Sequence, residues 1–448
     1  MADFKIKIEW KPSEDKDALL RNTTASFLMS VGGEVLTRNR NGWTRKVEDS
    51  VIVSTYPLAQ WLAYNWWRLG NEFLPVSGGR PDYDWRCAHE LGAVDHGYVW
   101  PKVLFVSDGD YVNIWSGGIV MPMQSVSYLG RLASVQAVSV RQFQKEAASL
   151  INATLARLDG MDTELSELWK IVCEDMRNSK TRNIRRLEAA MGYDPEECPE
   201  ERLMEVLEYQ KKTGASSIRE MAPFLRSDEQ LYDCLREKSK GLDVCLQVDL
   251  TDMMLSNTPA ESCHHLESIP WQNGVAAARR LRKTCGFGEE AVSNARLLNL
   301  LGLANNGLDD YYRLSADCPV SIGKSIGGRQ YSFVPRRKRM ITGRRFELAR
   351  LLGDALIFNE NKGEWLVASD CKTARQKVQR AFAAEFLCPV EALDDFMGND
   401  YSKEKQRKAA EYFMVSEQTV SSVLMNNGKI EHREPSFPYS MVKNFYNA

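Results

Sequence analysis

The sequence predicts an α+β protein in three parts, and three observations predict it. Short apolar–polar alternations crowd the N-terminal third, a helical period takes over near residue 136, and a second set of helices follows a turn-rich break at 254–272. The expected parts are an N-terminal mixed α/β domain at 1–135, a helical middle region at 136–260, and a mostly helical C-terminal domain at 270–448. A chain of 448 residues can bury more than one core, and two to four domains are expected from length alone.

The elements follow in order. FKIKIEW (4–10) and GEVLT (33–37) alternate apolar and polar residues, and VIVST (51–55) is a β-branched run, so all three read as strands. After Pro57, the stretch LAQWLAYNWWRLGNEF sets Leu58, Trp61, Leu62 and Trp66 on one helical face. KVLFVSDGDYVNIWS reads as a hairpin in which Asp108-Gly109 supplies the turn. Helical periods then run through 137–158, 163–177, 183–191, 200–213 and 216–225, with breaks at Pro195 and Pro199. Beyond the turn-rich break come helices at 273–285 and 289–303 and a strand at 329–334. RFELARLLGDALIF (345–358) is a helix, its apolar residues Phe346, Leu348, Ala349, Leu352 and Leu356 recurring at helical spacing. KVQRAFAAEFLCP is a second amphipathic helix that stops at Pro389. The last pattern is a helix, a turn at Val415-Ser416 and another helix closed by Gly428, with Ser416 as N-cap, which is helix-turn-helix-like.

Composition restricts the function classes. Hydrophobic residues make up 44%, charged residues 26%, and the net charge is −2, which is the make-up of an ordinary globular protein. So small a net charge argues against wrapping nucleic acid wholesale, while leaving room for a local basic patch. No run reaches eighteen apolar residues and the opening MADFKIKIEW has no signal-peptide core, so a cytoplasmic protein without a membrane partner is expected. The ten cysteines stand singly, with no C-x-x-C pair, and read as reduced, mostly buried thiols.

The order of the C-terminal helices, and the segments RRFELA and FAAEFLCP within them, resemble the ImmA/IrrE family of metallopeptidases. The resemblance extends through NGVAAARRLRKTCGFGEEAVSNARLLNLLGLA (273–304), with fainter echoes at 185–201 and 56–73. It implies a zincin-like C-terminal domain in which two histidines and a downstream acidic residue hold zinc, while a glutamate beside the first histidine activates water. Carried over position by position, the first histidine falls on Arg350, the glutamate on Leu351, the second histidine on Asp354 and the third ligand on or near Val378. A guanidinium has no lone pair to give a cation, and leucine cannot be a general base. Asp354 alone is one ligand of the three a zinc hydrolase needs. The expectation is therefore a pseudo-metallopeptidase with no catalytic residue, metal or cofactor, in which Arg350 and Asp354, spaced i, i+4, pair across the former metal position. Intact members of the family cleave repressor-like partners in mobile-element, stress-response and phage-defence settings. By resemblance, this chain would be a regulatory or scaffold protein of such a module, the toxin–antitoxin type included, binding a protein partner encoded alongside it through the degenerate cleft.

Two other stretches carry alternative functions. In DWRCAHELGAVDHGYVW (84–100), Arg86, His89, Glu90 and His96 are candidates for a pocket lined by Trp85, Tyr98 and Trp100, which would make the N-terminal domain an enzyme. His89 and His96 lie about two turns apart on any one helix, too far to share an ion, and Gly92 and Gly97 argue against a continuous helix. The run PRRKRMITGRR (335–345) holds six cations in eleven residues: Arg336, Arg337, Lys338, Arg339, Arg344 and Arg345. Such a run attracts phosphates, and with the helix-turn-helix-like end it raises a DNA-binding regulator as the third reading. Against base readout, helix 418–427 has no Arg or Lys, so it is expected to pack or to bind protein. CHH at 263–265 sets three potential ligands side by side, where adjacent side chains diverge and nothing nearby completes a tetrahedral set.

Overall fold

A computed structural model describes residues 2–76, 79–118, 125–225, 246–250, 270–315, 317–327, 329–358 and 364–430; the Cys-His-His triplet lies outside them. The chain is α+β, with small antiparallel sheets and helices in two compact units, Met1–Pro199 and Glu200–Arg433. The helices of 136–260 are shared between these units. Those at Val140–Arg157, Glu164–Arg177 and Ser179–Ala190 belong to the first, and those at Glu200–Thr213 and Ala215–Leu225 to the second. Among the described residues no helix is long and apolar enough to cross a membrane.

In the first unit, Phe4–Trp10 alternates inward residues (Phe4 buried, Ile6, Ile8 and Trp10 half-buried) with exposed ones and pairs antiparallel with Thr24–Val31, Phe4 opposite Val31 and Trp10 opposite Ala25. Thr24–Val31 is the centre of this sheet, since Val51–Ser54 and Glu34–Val35 also pair with it. Its buried Ala25, Phe27, Met29 and Val31 carry the period of two that the sequence reading passed over. The hairpin Lys102–Ser107/Tyr111–Gly117 forms as expected, with Gly109 at φ 100° in its turn. Gln136–Ser139 adds a third strand to it. A further small sheet orders Val47–Glu48, Asn39–Asn41 and Val126–Tyr128. Ser139, Thr163 and Asn178 cap the next three helices, each side chain accepting a backbone N–H of the first turn. The core beneath them includes Phe4, Phe105 and Phe143, whose rings lie in mutual contact.

In the second unit, the strands Leu246–Asp249, Gln330–Val334, Ser321–Gly327 and Leu366–Ala368 stand side by side in that order, all antiparallel. Only one of these four is legible as a strand in advance. Leu366–Ala368 is only three residues long, and SIGKSIG, though seven residues long, has too little apolar content to announce itself. Helices Ile341–Ile357, Ala374–Leu387 and Pro270–Thr284 pack as a close set. A Cβ at Gly353 would stand 2.6 Å from the Phe382 ring, and one at Gly274 would stand 2.3 Å from the Val378 carbonyl oxygen. These two glycines set how near the helices come. The end of the unit is a helix Lys403–Phe413 capped by Ser402, a left-handed Met414 (φ 53°), and a helix Glu417–Asn426 capped by Ser416.

Candidate functional site

Helix Ile341–Ile357 is buried on more sides than its sequence suggests. Residues 344, 345 and 347–355 are all buried, including three arginines (344, 345 and 350), Glu347 and Asp354. Burying charge this thoroughly demands partners, and each is supplied.

Arg350 and Asp354 do not pair with one another, and the expected i, i+4 bridge gives way to two separate systems. Arg350 Nη1 donates to Glu347 Oε2 at 3.2 Å, one turn back on its own helix. Its Nη2 donates to the Ser369 carbonyl at 2.7 Å, to Gln376 Oε1 and, at 3.3 Å, to Gln379 Oε1. Gln376 and Gln379 are locked in turn, both side-chain amides donating to the Val367 carbonyl at 2.8 Å. Glu347 is clamped from the other side by a bidentate Arg336 (3.0 and 3.2 Å), and Arg336 reaches Asp370 at 2.6 Å. Burial works to raise the Glu347 carboxyl, but Arg350 and Arg336 outweigh it and hold the group below its ordinary range. Burial pulls the Arg350 guanidinium down, with Glu347 opposing, and Arg350 Nε is buried without a hydrogen-bond partner among the described residues.

Asp354 belongs to the second system. Arg375, on the facing helix, grips it through Nε (2.8 Å) and Nη2 (2.7 Å) in a fork, while Arg375 Nη1 donates to Ser216 Oγ at 3.1 Å. The i, i+4 pair is outbid by the facing arginine, which meets both oxygens of the Asp354 carboxylate in a fork. Beyond it, Thr373 donates to Glu220, a carboxyl that burial raises above its ordinary value.

The remaining carried-over positions are apolar and packed. Leu351 is buried, and a Cβ at Gly323 would stand 3.1 Å from its Cδ1, so it faces the strand Ser321–Gly327. Val378 is buried on the facing helix. Among the described residues no three His, Cys, Asp or Glu side chains stand together as a metal site. Chemically, the helix pair can hold charge in place.

The basic run is only partly a surface feature, which corrects its reading as six phosphate contacts. Arg336 is buried in the Glu347 clamp. Arg344 is buried, donating to the carbonyls of Lys338, Leu308 and Arg339. Arg345 is fully buried, joining its helix to Met414 and Val292 through their carbonyls and to the Asn294 side chain; burial pulls it down to about 10. Arg337 and Arg339 are exposed and Lys338 is half-buried. Sequence cannot separate these classes, because a guanidinium that ends a helix internally reads like one in solvent.

The N-terminal candidates divide into one pair, Arg86 with Glu90, and two histidines with other surroundings. Arg86 forms a two-pronged pair with Glu90 at 2.8 and 3.0 Å. His89 is wholly buried, stacked on Trp85, with Nδ1 against the Phe105 carbonyl at 2.8 Å and Nε2 against Glu72 at 3.0 Å. His96 lies beyond the end of helix Tyr83–His89, exposed, on a left-handed turn (φ 69°). These contacts leave both His89 nitrogens occupied in holding Phe105 and Glu72, which is structural service.

In comparisons with protein-family models, with characterised proteins and with solved structures, none matches this chain.

Proposed function

We propose that the Glu200–Arg433 unit is a non-catalytic, partner-binding relative of the ImmA/IrrE metallopeptidases. On this reading the protein regulates or scaffolds a mobile-element, stress-response or phage-defence module, and its partner is a protein encoded alongside. One observation carries the reading. At the position where a zinc hydrolase needs donors and an open coordination site, Arg350 places a positive charge against Glu347, Ser369, Gln376 and Gln379. A cation held there by four acceptors is the opposite of a cation-binding site. The buried helix set then serves as a rigid base for an outer binding surface.

The test has two arms on the purified full-length chain. Elemental analysis is expected to find no stoichiometric zinc, and co-expression with the neighbouring coding regions is expected to recover a protein complex that survives raised salt. About one zinc per chain, lost on Asp354→Ala, would overturn the reading. So would a complex whose affinity falls steeply with salt because nucleic acid bridges it.

A further inference from the structure

The cations that remain in solvent are not spread evenly, and one group surrounds an exposed aromatic ring. In RNRNGWTRK (38–46) there are four cations and no acid, and Trp43 is 86% exposed, the most exposed large hydrophobic side chain among the described residues. Arg38 pairs with Asp49 at 3.2 Å, whereas Arg40, Arg45 and Lys46 are exposed and make no ion pair among the described residues.

The tip is built to be stiff. Buried Asn39 donates its side-chain amide to the carbonyls of Thr37 (3.0 Å), Glu48 (3.3 Å) and Ser50 (2.9 Å), pinning the base of the hairpin. Asn41 Oδ1 accepts the backbone N–H groups of Trp43 (2.9 Å) and Thr44 (3.2 Å). The backbone closes with Asn41 N–H to Lys46 O and Arg45 N–H to Asn41 O, both at 2.9 Å, with Arg45 left-handed at φ 56°. Gly42 N–H reaches Ser125 O at 2.7 Å, tying the turn to the adjoining strand. In the strand register Arg40 stands opposite Val47 and Ser127, on the sheet face away from buried Asn39. A turn whose backbone is fixed in this way loses little freedom when something binds at its tip.

We propose that the hairpin Asn39–Glu48 is a contact site for single-stranded nucleic acid, with the Trp43 indole stacking on an unpaired base and Arg40, Arg45 and Lys46 taking the flanking phosphates. A flat ring among cations matches the two features every single strand offers, a π-face and a backbone charge. A duplex hides its base faces in the stack, so it would use the cations and leave Trp43 idle. A bilayer surface would call for several apolar side chains at the tip, where Trp43 has only Gly42 and Thr44 beside it. The inference concerns the first unit and is independent of the proposed role for the second.

The test is fluorescence anisotropy of the full-length chain with labelled oligothymidylate and oligouridylate, with a duplex and phosphatidylserine vesicles as the comparison ligands. The single strands are expected to bind more tightly than the duplex, with affinity falling as salt rises. Trp43→Ala should weaken binding about tenfold or more, and Trp43→Phe should keep most of it. Arg45→Glu with Lys46→Glu should abolish it, while Arg337→Glu with Arg339→Glu should leave it unchanged. All these side chains are exposed, so melting temperatures should stay at the wild-type value, separating lost contact from lost fold. The proposal is overturned if no oligonucleotide binds at low salt, or if Trp43→Ala binds as wild type does. It is also overturned if the 337/339 variant is the one that loses binding, or if vesicles alone are bound through Trp43.

Discussion

Arg350 enters the interior with its charge intact and is met there by oxygen on three sides, and this decides what a substitution at that position costs. Removing one partner of a buried ion pair leaves the other uncompensated, typically a loss of ~3–5 kcal/mol. Arg350→Ala should destabilise by about that much, as measured by chemical denaturation, although Arg336 remains to hold Glu347. The pairing can be checked separately by double-mutant cycles on Asp354. Coupling between Asp354 and Arg375 should be large and that between Asp354 and Arg350 small; the reverse result would restore the i, i+4 bridge read from spacing. Glu220 gives a pH test. Burial raises its carboxyl above the ordinary 4.5, so its contribution to stability is fully present below that pH and is lost as pH rises through the raised folded value. Glu220→Gln, which mimics the protonated form, should therefore melt higher than wild type near neutral pH, and the gain should vanish in acid. A Glu220→Gln protein that melts lower at neutral pH would mean that Arg375 keeps the carboxylate charged and needed. At this scale the sequence was half informative. Arg350, Leu351, Asp354 and Val378 were all placed on two helices, Ile341–Ile357 and Ala374–Leu387, and all four are buried. Their partners were not legible, because Gln376, Gln379, Ser369 and Arg375 meet them only through the fold.

The helices come close where they lack side chains. Gly353→Ala would improve helix propensity by up to ~1 kcal/mol, yet its Cβ would press into the Phe382 ring at 2.6 Å. Overpacking should win, for a net loss of about 1–3 kcal/mol. Gly274→Ala should cost more, because its Cβ meets the Val378 backbone oxygen at 2.3 Å and a main chain inside a helix cannot swing aside. Gly343→Ala is the control, its nearest neighbour being Lys338 Cβ at 3.6 Å, and it should be neutral or slightly stabilising. Thermal melts of the three variants check the order 274, 353, 343 from worst to best; an equal loss at all three would refute close approach as the cause. Long amphipathic helices were readable within a few residues, from Val140–Arg157 to Glu417–Asn426, because a period of 3.6 sustained over three turns has few other causes. Strands such as Leu366–Ala368 were not, since three residues cannot display a period.

At the scale of the whole molecule, two cores are separate in sequence and in composition. One cluster draws its buried residues from Phe4 to Ala189, the other from Leu246 to Leu424. Each has its own helices and sheet, so each should unfold as its own cooperative unit. Calorimetry should resolve two transitions, Phe105→Ala shifting one by the ~3–5 kcal/mol of an emptied aromatic site and Gly353→Ala shifting only the other. Both variants moving a single transition by the same amount would show that the units melt as one. The expected three-part division was drawn where the hydrophobic period changed, at residue 136. Pattern marks where secondary structure changes, whereas a unit boundary depends on which elements pack together, and the helices on either side of Pro199 belong to different units. The chain Arg336–Glu347–Arg350 also limits what can replace its members. A histidine arriving at position 350 would remove one of the two arginines that hold Glu347 and leave the Gln376 and Gln379 side-chain oxygens without their donor, and one arriving at 354 would strand Arg375. Either single change therefore leaves buried polar groups short of a partner, so positions 350 and 354 can vary without loss only where their partners vary with them.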